Sequence, residues 1–345
     1  MNWTCPLPLR DYPNIVMAHG GGGKLTQELI ENLFLPAFTS PELAPLSDAA
    51  VLTLPPGRVA MSTDSYVVRP LIFPGSSIGE LAVNGTVNDL AMQGAVPLYL
   101  SAGFILEEGL PLILLAGIVG RMGEAARATG VHIVTGDTKV VERGAADQIF
   151  INTAGIGVIP EAVDLGPHRI QPGDQVLLSG TLGDHGLAIM SVRESLEFES
   201  PILSDCAPLH GLTQALLETP NSIRMLRDAT RGGAAAVLNE IAQSSRLGIV
   251  IEETRIPVRA EVQGACELLG LDPLFVANEG KFIAIVAADA ADSLIQKLRP
   301  LPGGKDACRI GEVHSGHPGL LTMRTAMGTR RVIPMPLGEQ LPRIC

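Results

Sequence analysis

Strand-like and helical stretches alternate along this chain on both sides of one Pro/Gly-rich break, Asp164–Gly173. That alternation restricts the fold more than any other feature. Before the break, Val51–Leu54, Arg58–Ser62, Val96–Glu107, Val131–Thr135 and Gln148–Ile159 read as strands. Ser76–Gly94 and Leu112–Thr129 read as helices, the second ending at Gly130 in the position of a left-handed cap. After the break, Gln175–Ser179, Gly248–Ile251, Lys281–Ala287 and Arg309–Val313 read as strands. Helices are expected at Asp184–Arg193, Pro208–Glu218, Gly233–Ser245, Pro257–Leu269 and Ala290–Leu298. The pattern predicts two α/β domains, residues 1–163 and 174–332. Residues 333–345 follow, where Pro334, Pro336 and Pro342 predict an extended, poorly packed arm.

Several function classes are disfavoured at this point. Lys and Arg number 25 against 36 Asp and Glu, a net charge of −11, and aromatic residues are only 3% of the chain. A nucleic-acid binder needs a cationic surface or stacking platforms, so no nucleic-acid partner is expected. The longest apolar run, Gly109–Gly120, is broken by Pro111 and falls short of the ~20 residues of a span, so no membrane partner is expected. Met1–Pro13 lacks a charged stretch leading into an apolar one, which argues against a secretory signal. The five cysteines (Cys5, Cys206, Cys266, Cys308 and Cys345) are odd in number and scattered, which points to a reducing, cytoplasmic setting.

The residues that carry chemistry fall into groups. His19-Gly20-Gly21-Gly22-Gly23-Lys24 lets backbone N–H groups approach an anion closely, and Leu25–Leu35 follows with helical spacing. It is not a Walker A loop, because Ala18 and Leu25 stand where that pattern needs Gly and Ser or Thr. Asp64, Asp89, Asp137 and Asp228 lie at segment ends close to Gly or Thr, which suits Mg²⁺ beside a nucleotide. Asn84 and Asn88 share a helix face and need partners if buried, either a polar ligand or a structural network. Thr230-Arg231-Gly232-Gly233, entering a helix, reads as a second anion-binding corner. Glu279, in Asn278-Glu279-Gly280-Lys281, and Lys139 are candidate acid/base residues. His185 is a catalytic candidate or, in preference, a helix-start hydrogen-bonding residue, and His314 and His317 lack neighbours that would make a metal site. The chain ends Pro342-Arg343-Ile344-Cys345, so its thiol can enter a narrow site end-on. The 12 residues from Pro334 reach roughly 35–40 Å when fully extended, which suggests a carrier thiol loaded in one place and processed in another.

Over essentially its whole length the chain resembles the HypE family, the carbamoyl dehydratases of nickel–iron hydrogenase maturation. The resemblance rests on His19–Gly23, Ser62–Val67, Phe73–Met92, Phe104–Pro111, Val134–Ala146, Ser179–Gly186, Arg227–Gly233, Ala277–Lys281 and Pro342–Cys345. The cysteine-ended tail is the most specific of these, since related ATP enzymes lack it. The resemblance implies two α/β domains, with the N-terminal sheets of two subunits joined in a homodimeric barrel, and a flexible C-terminal tail.

It further implies that a HypF-like carbamoyltransferase loads Cys345 and that ATP drives dehydration of the S-carbamoyl group to a thiocyanate. The cyanide then passes to iron on a HypC–HypD-like scaffold. The nucleotide would be bound by Gly20, Gly21, Gly22, Gly23, Asn84, Asn88, Thr138, Thr230, Arg231 and Gly232. Mg²⁺ would be held by Asp64, Asp89, Asp137 and Asp228, and catalysis would use Cys345, Lys139 and Glu279. Lys24 has no evident role, and Met1–Asp11 adds no motif. One alternative is a sibling ATP enzyme acting on a free small molecule, in the manner of selenophosphate synthetase. Another is a metallochaperone built on Cys345, His314 and His317, which would leave the glycine and aspartate motifs unexplained.

Overall fold

The computed structural model describes residues 12–196, 201–338, 341 and 343–345. Cys5, Pro342 and all of Met1–Asp11 lie outside the described residues. The first half runs α1 (Lys24–Leu29), a π turn, α2 (Leu35–Phe38), β1 (Arg58–Tyr66), β2 (Ile72–Phe73) and β3 (Ser76–Ser77). It continues with α3 (Ile78–Met92), β4 (Val96–Glu107), α4 (Leu112–Thr129), β5 (His132–Val141) and β6 (Ile149–Ile159). The second half runs β7 (Gln175–Leu178), α5 (Asp184–Arg193), α6 (His210–Leu217), β8 (Ile223–Asp228), α7 (Gly233–Ser245) and β9 (Gly248–Glu252). It closes with α8 (Ala260–Leu269), β10 (Phe282–Val286), α9 (Ala291–Leu298), β11 (Cys308–His314), β12 (Leu321–Arg324) and β13 (Arg330–Val332).

The strands form a four-stranded sheet, β1-β6-β4-β5, and a seven-stranded sheet, β13-β12-β9-β11-β7-β10-β8. In the first sheet only β4 and β5 are parallel, joined over α4 as a parallel pair requires. Gly130 caps α4 at φ +73°, its N–H on the carbonyls of Ala126 and Arg127.

α3 is unusual in being buried on nearly all sides, from Ile78 to Met92. It packs against β1, β4 and β6 on one side and against α6 and β8 on the other, so it is shared by the two halves. Packing on all sides, rather than propensity, holds this helix, and its buried Asn84 and Asn88 must find partners there. The first apolar core also crosses between the halves, joining Leu81 and Ile118 to Leu187, Val262 and Val276.

Two expectations differ from the fold. Val51–Leu54 lies outside both sheets, and Val51 is 93% exposed. The strand β8 was not anticipated, because its Ile-Arg-Met-Leu-Arg-Asp sequence is no apolar run. As an edge strand it buries Ile223 and Leu226, while Arg224 and Arg227 pair with Asp174 and Glu240.

The terminus also differs from a poorly packed arm. Leu341 and Ile344 are each only 6% exposed and join the first core. Val67 N–H donates to the Cys345 oxygen at 3.1 Å and Arg69 N–H to the Arg343 carbonyl at 3.4 Å. These two bonds pair the end of the chain antiparallel to the segment just after β1. Proline leaves a segment extended, and an extended backbone retains free N–H and C=O groups that a neighbouring edge can take up.

Candidate active site

Asp64 sits on β1, Asp89 on α3 and Asp228 at the end of β8, and the packing of α3 between the halves brings the three together. Ser62 donates to Asp89 Oδ2 at 2.5 Å, and Arg231 approaches Asp64 Oδ1 at 3.3 Å. Ser62, Asp89, Gln93, Arg227 and Asp228 line a cavity of about 370 Å³. Burial, reinforced by the charge of Asp89, pushes the Asp228 carboxyl up to about 7. Burial also raises Asp89, against the opposing bond from Ser62. Among the described residues no three His, Cys, Asp or Glu side chains already converge as a metal site.

Raised acids imply a measurable penalty in the ligand-free protein. Below its ordinary pKa of 3.8, Asp228 is protonated in folded and unfolded chains alike and no stability is lost. As pH rises toward about 7 the unfolded chain ionises while the folded site resists, so stability drains away. Asp228 keeps part of its surface in solvent, so we expect Asp228→Asn to stabilise the nucleotide-free protein by about 2 kcal/mol at pH 8 and by clearly less at pH 5. Urea unfolding at the two pH values checks this, and a loss of stability at pH 8 contradicts it.

Glu279 lies beside the same cluster. It is 4% exposed, and burial first, then the charges of Asp205 and Asp228, hold its carboxyl well above the usual range. Its backbone is pinned by Asp205, which accepts from Glu279 N–H at 3.0 Å and from Lys281 Nζ at 3.0 Å. A Cβ at Gly280 would stand 1.9 Å from the Asp205 carbonyl, so only glycine allows this approach. Gly232 (φ +71°) and Gly233 (φ +63°) likewise turn the chain so that Thr230 and Arg231 precede α7 beside the acids.

The terminus delivers its thiol here. The Cys345 side chain hydrogen-bonds with Arg231 and feels the charges of Glu279 and Asp64. Burial, followed by the charge of Glu279, pushes the thiol up to about 12, with Arg231 opposing. The resting thiol is therefore a neutral guest rather than a thiolate.

The remaining candidates fall elsewhere within one chain. Gly20 and Gly22 line a second, largely apolar cavity of about 260 Å³ together with Asp137, Thr138 and Lys139. Gly21 and Gly23 belong to the same loop, which Thr26 closes by accepting from Gly22 N–H at 3.0 Å and donating to His19 O at 2.8 Å. Lys139 pairs with Asp137 at 2.8 Å on β5, and Lys24 makes only an exposed pair with Glu28 at 3.6 Å. The register Asp64↔Thr153, Ala102↔Thr153 and Ala102↔Gly136 puts Asp64 level with Gly136, one residue before Asp137, on opposite edges of the first sheet. Three strand spacings, about 14 Å, separate those edges.

Asn88 requires a correction. Its Nδ2 donates to the carbonyls of Ala207 (3.1 Å) and Glu279 (3.2 Å), and its Oδ1 accepts from Leu209 N–H at 2.7 Å. Both amide hydrogens and one lone pair of Asn88 are used by the fold, so it ties α3 to the second half and has no free donor for a nucleotide. Asn84 differs: Nδ2 faces Cys206 Sγ at 3.6 Å, while Oδ1 is buried with no partner among the described residues. Sequence reasoning passed over Ser62, Asp205 and Thr26, whose partners lie on other elements. It also passed over Lys281 as the counter-ion of Asp205.

Two α/β halves that share a buried helix, with an acid cluster and a glycine turn beside it, define the class. The chain matches the AIR synthase related protein family, the N-terminal domain over residues 46–159 and the C-terminal domain over residues 171–322. It is 52% identical over 332 residues to the carbamoyl dehydratase HypE of Rhizobium leguminosarum bv. viciae, covering 96% of this chain and 95% of the relative. Its fold superposes on the crystal structure of the hydrogenase maturation protein HypE in complex with ATP with a TM-score of 0.92, 50% identity and coverage of 96% and 99% of the two chains. It also matches a chain of the HypE–HypF complex, with a TM-score of 0.79 at 49% identity, covering 89% of this chain and 99% of that one. The chain belongs to the HypE family of carbamoyl dehydratases.

Proposed function

We infer that this protein is an ATP-dependent carbamoyl dehydratase whose substrate is carried on its own last residue. The observation that carries the reading is the seating of the Cys345 thiol beside Arg231, Glu279 and Asp64. On a carbamoylated Cys345 the group at that place is –S–C(=O)–NH₂. Its oxygen attacks the γ-phosphorus of ATP, the new O–P bond forms and ADP leaves. Two N–H protons are then lost in all, the C–O bond breaks, phosphate departs and –S–C≡N remains. An amide oxygen is a poor leaving group, and phosphorylation makes it a good one.

The site residues take roles that suit this sequence. Asp64, Asp89 and Asp228 fit a divalent cation, because burial and the neighbouring charges of Asp89 and Asp64 raise Asp228 and a cation would offset them. Mg²⁺ commonly takes one or two carboxylates plus phosphates and water, so a complete protein cage is not required. When bound, it supplies charge neutralisation for the transferring phosphoryl group. Glu279 as carboxylate would accept a proton from the carboxamide nitrogen, and a nearby cation would favour that form. Arg231 orients the carrier, and the Thr230–Gly232 corner and the Gly20–Gly23 loop bind phosphates.

Lys139, Asp137 and Thr138 reach the reaction in a homodimer. One face of the first sheet is covered by α3 and α4, whereas the other leaves Met61 (71% exposed), Val59 and Ile105 open. A second copy facing it closes a barrel in which the β5 edge of one subunit adjoins the β1 edge of the other. Asp137 and Lys139 of the partner subunit then stand near Asp64. The solved HypE–HypF complex supports a HypF-like carbamoyltransferase as loading partner. The cyanide goes on to iron on a HypC–HypD-like scaffold. A carrier thiol must stay reduced, and Cys206, Cys266, Cys308 and Cys345 are free, which fits a cytoplasmic setting. No helix among the described residues is long and apolar enough to cross a membrane.

The test is intact-protein mass spectrometry after incubation with the carbamoyltransferase, carbamoyl phosphate and Mg-ATP. A carbamoyl adduct on Cys345 that loses one water only with ATP is expected. An active transferase that leaves Cys345 unmodified sinks the carrier role and favours an ATP enzyme acting on a free substrate.

A further inference from the structure

The two antiparallel bonds that seat the terminus engage the oxygens of Arg343 and Cys345. The carbonyl between them, that of Ile344, is turned toward the interior instead. It meets His185 Nε2 at 2.7 Å. The Ile344 oxygen can only accept, so Nε2 carries the hydrogen. On the far side of the ring, Nδ1 lies 2.8 Å from Ser204 Oγ, and Ser204 Oγ in turn accepts from Cys206 N–H at 3.1 Å. The serine hydroxyl therefore donates to Nδ1, and the chain of bonds fixes the tautomer. Phe73 packs edge-on against the ring at 5.5 Å and 87°, which fixes its plane.

His185 is completely buried, and burial lowers its pKa, keeping it neutral as the tautomer requires. Both ring nitrogens are thus committed, one to the protein body and one to the incoming terminus. Arg343 also bonds the Val67 carbonyl and pairs with Asp147 at 2.6 Å, but these contacts are at the surface, where exchange with water costs little. Among the described residues, His185 is the one fully buried side chain that hydrogen-bonds the terminus, one residue from the thiol, while Leu341 and Ile344 add apolar packing.

We propose that His185 is a positioning residue for the carrier: its Nε2–H, oriented by Ser204 and Phe73, sets the depth to which the terminus enters and so places Cys345 between Arg231 and Glu279. It touches neither nucleotide nor reacting atoms. It acts through the backbone of Ile344, and a terminus without this anchor samples shallower positions from which the thiol meets solvent instead of the site.

The experiment compares His185→Phe, which keeps an aromatic ring but has no donor, with His185→Gln, whose amide replaces Nε2–H. Two readouts are taken on the full-length protein. The first is the rate of iodoacetamide labelling of Cys345, followed by peptide mass spectrometry without nucleotide. The second is single-turnover dehydration of protein carbamoylated beforehand. In His185→Phe, labelling should rise about 10-fold and dehydration fall at least about 10-fold, with KM for ATP unchanged within about twofold. In His185→Gln, both should return to within about threefold of the parent. A folded His185→Phe protein with parental labelling and dehydration overturns the proposal, as does a Gln variant that shares the Phe defect. If His185→Phe does not fold, Ser204→Ala serves, with a change of about threefold in the same directions expected and no change overturning the proposal. The dehydration arm rests on the dehydratase reading, but the labelling arm does not. A parent protein that labels slowly yet never dehydrates defeats that reading while the placement of the terminus is still tested.

Discussion

Cys345→Ala abolishes dehydration, with no residual turnover above the uncatalysed level, while ATP affinity stays within about twofold of the parent. The acid cluster, Arg231 and the glycine loops remain in place, but the atom that carries the substrate is gone. Cys345→Ser is the sharper version. Its hydroxyl occupies nearly the same volume and can meet Arg231, yet serine is a far weaker nucleophile toward the carbamoyl donor. Both variants should retain the tail contacts of Ile344, because these use backbone and an apolar side chain. Carbamoyl loading, cyanide formation and equilibrium nucleotide binding are measured in parallel. A Cys345→Ala protein that still converts a free small molecule would place this chain among the sibling ATP enzymes.

Glu279→Gln has the next largest effect, a fall of about 10²–10⁴-fold in single-turnover dehydration with loading of Cys345 unchanged. The amide keeps the shape and the backbone bond to Asp205 but can no longer accept a proton. The sign of the pH dependence follows from the raised carboxyl. At low pH Glu279 is protonated and idle. As pH rises through its elevated value, which cation binding brings down, the carboxylate forms and the rate climbs. The variant loses this ascending limb. Rate against pH with carbamoylated protein and Mg-ATP settles the point, since an unchanged limb would assign the proton to another group. The substitution also removes a buried acid amid like charges, so the nucleotide-free variant should be at least as stable as the parent.

Much of the candidate cluster was legible because its residues are marked locally. Asp64, Asp89 and Asp228 stand where segments end, and glycines flank the turns that present Arg231 and Glu279. The unread part depends on pairs remote in sequence. Asp205 binds Glu279 and Lys281 across 74 and 76 positions, and nothing near Asp205 advertises an acid destined for the interior. Asn88 looked like a ligand because a buried amide must be satisfied, and only the fold reveals that three backbone groups satisfy it. Helices with strong periodicity, such as Leu112–Thr129, matched residue for residue. The β8 strand escaped because its half-buried positions carry arginines. Residues 51–54 alternate like a strand but lie outside the sheets of the described chain.

The antiparallel pairing of residues 343–345 with residues 67–69 also determines the kinetic order of the reaction. A substrate tethered to its own enzyme meets the site at a local concentration on the order of millimolar, whatever the protein concentration in the cell. Saturation then depends on the balance between a seated and a released chain end, and dilution does not alter it. Arg343 adopts φ +55°, a left-handed conformation that non-glycine residues hold only when their surroundings impose it. The seated end therefore holds a small conformational debt that release discharges. This moderates the grip of the site and keeps the thiol available for its next loading.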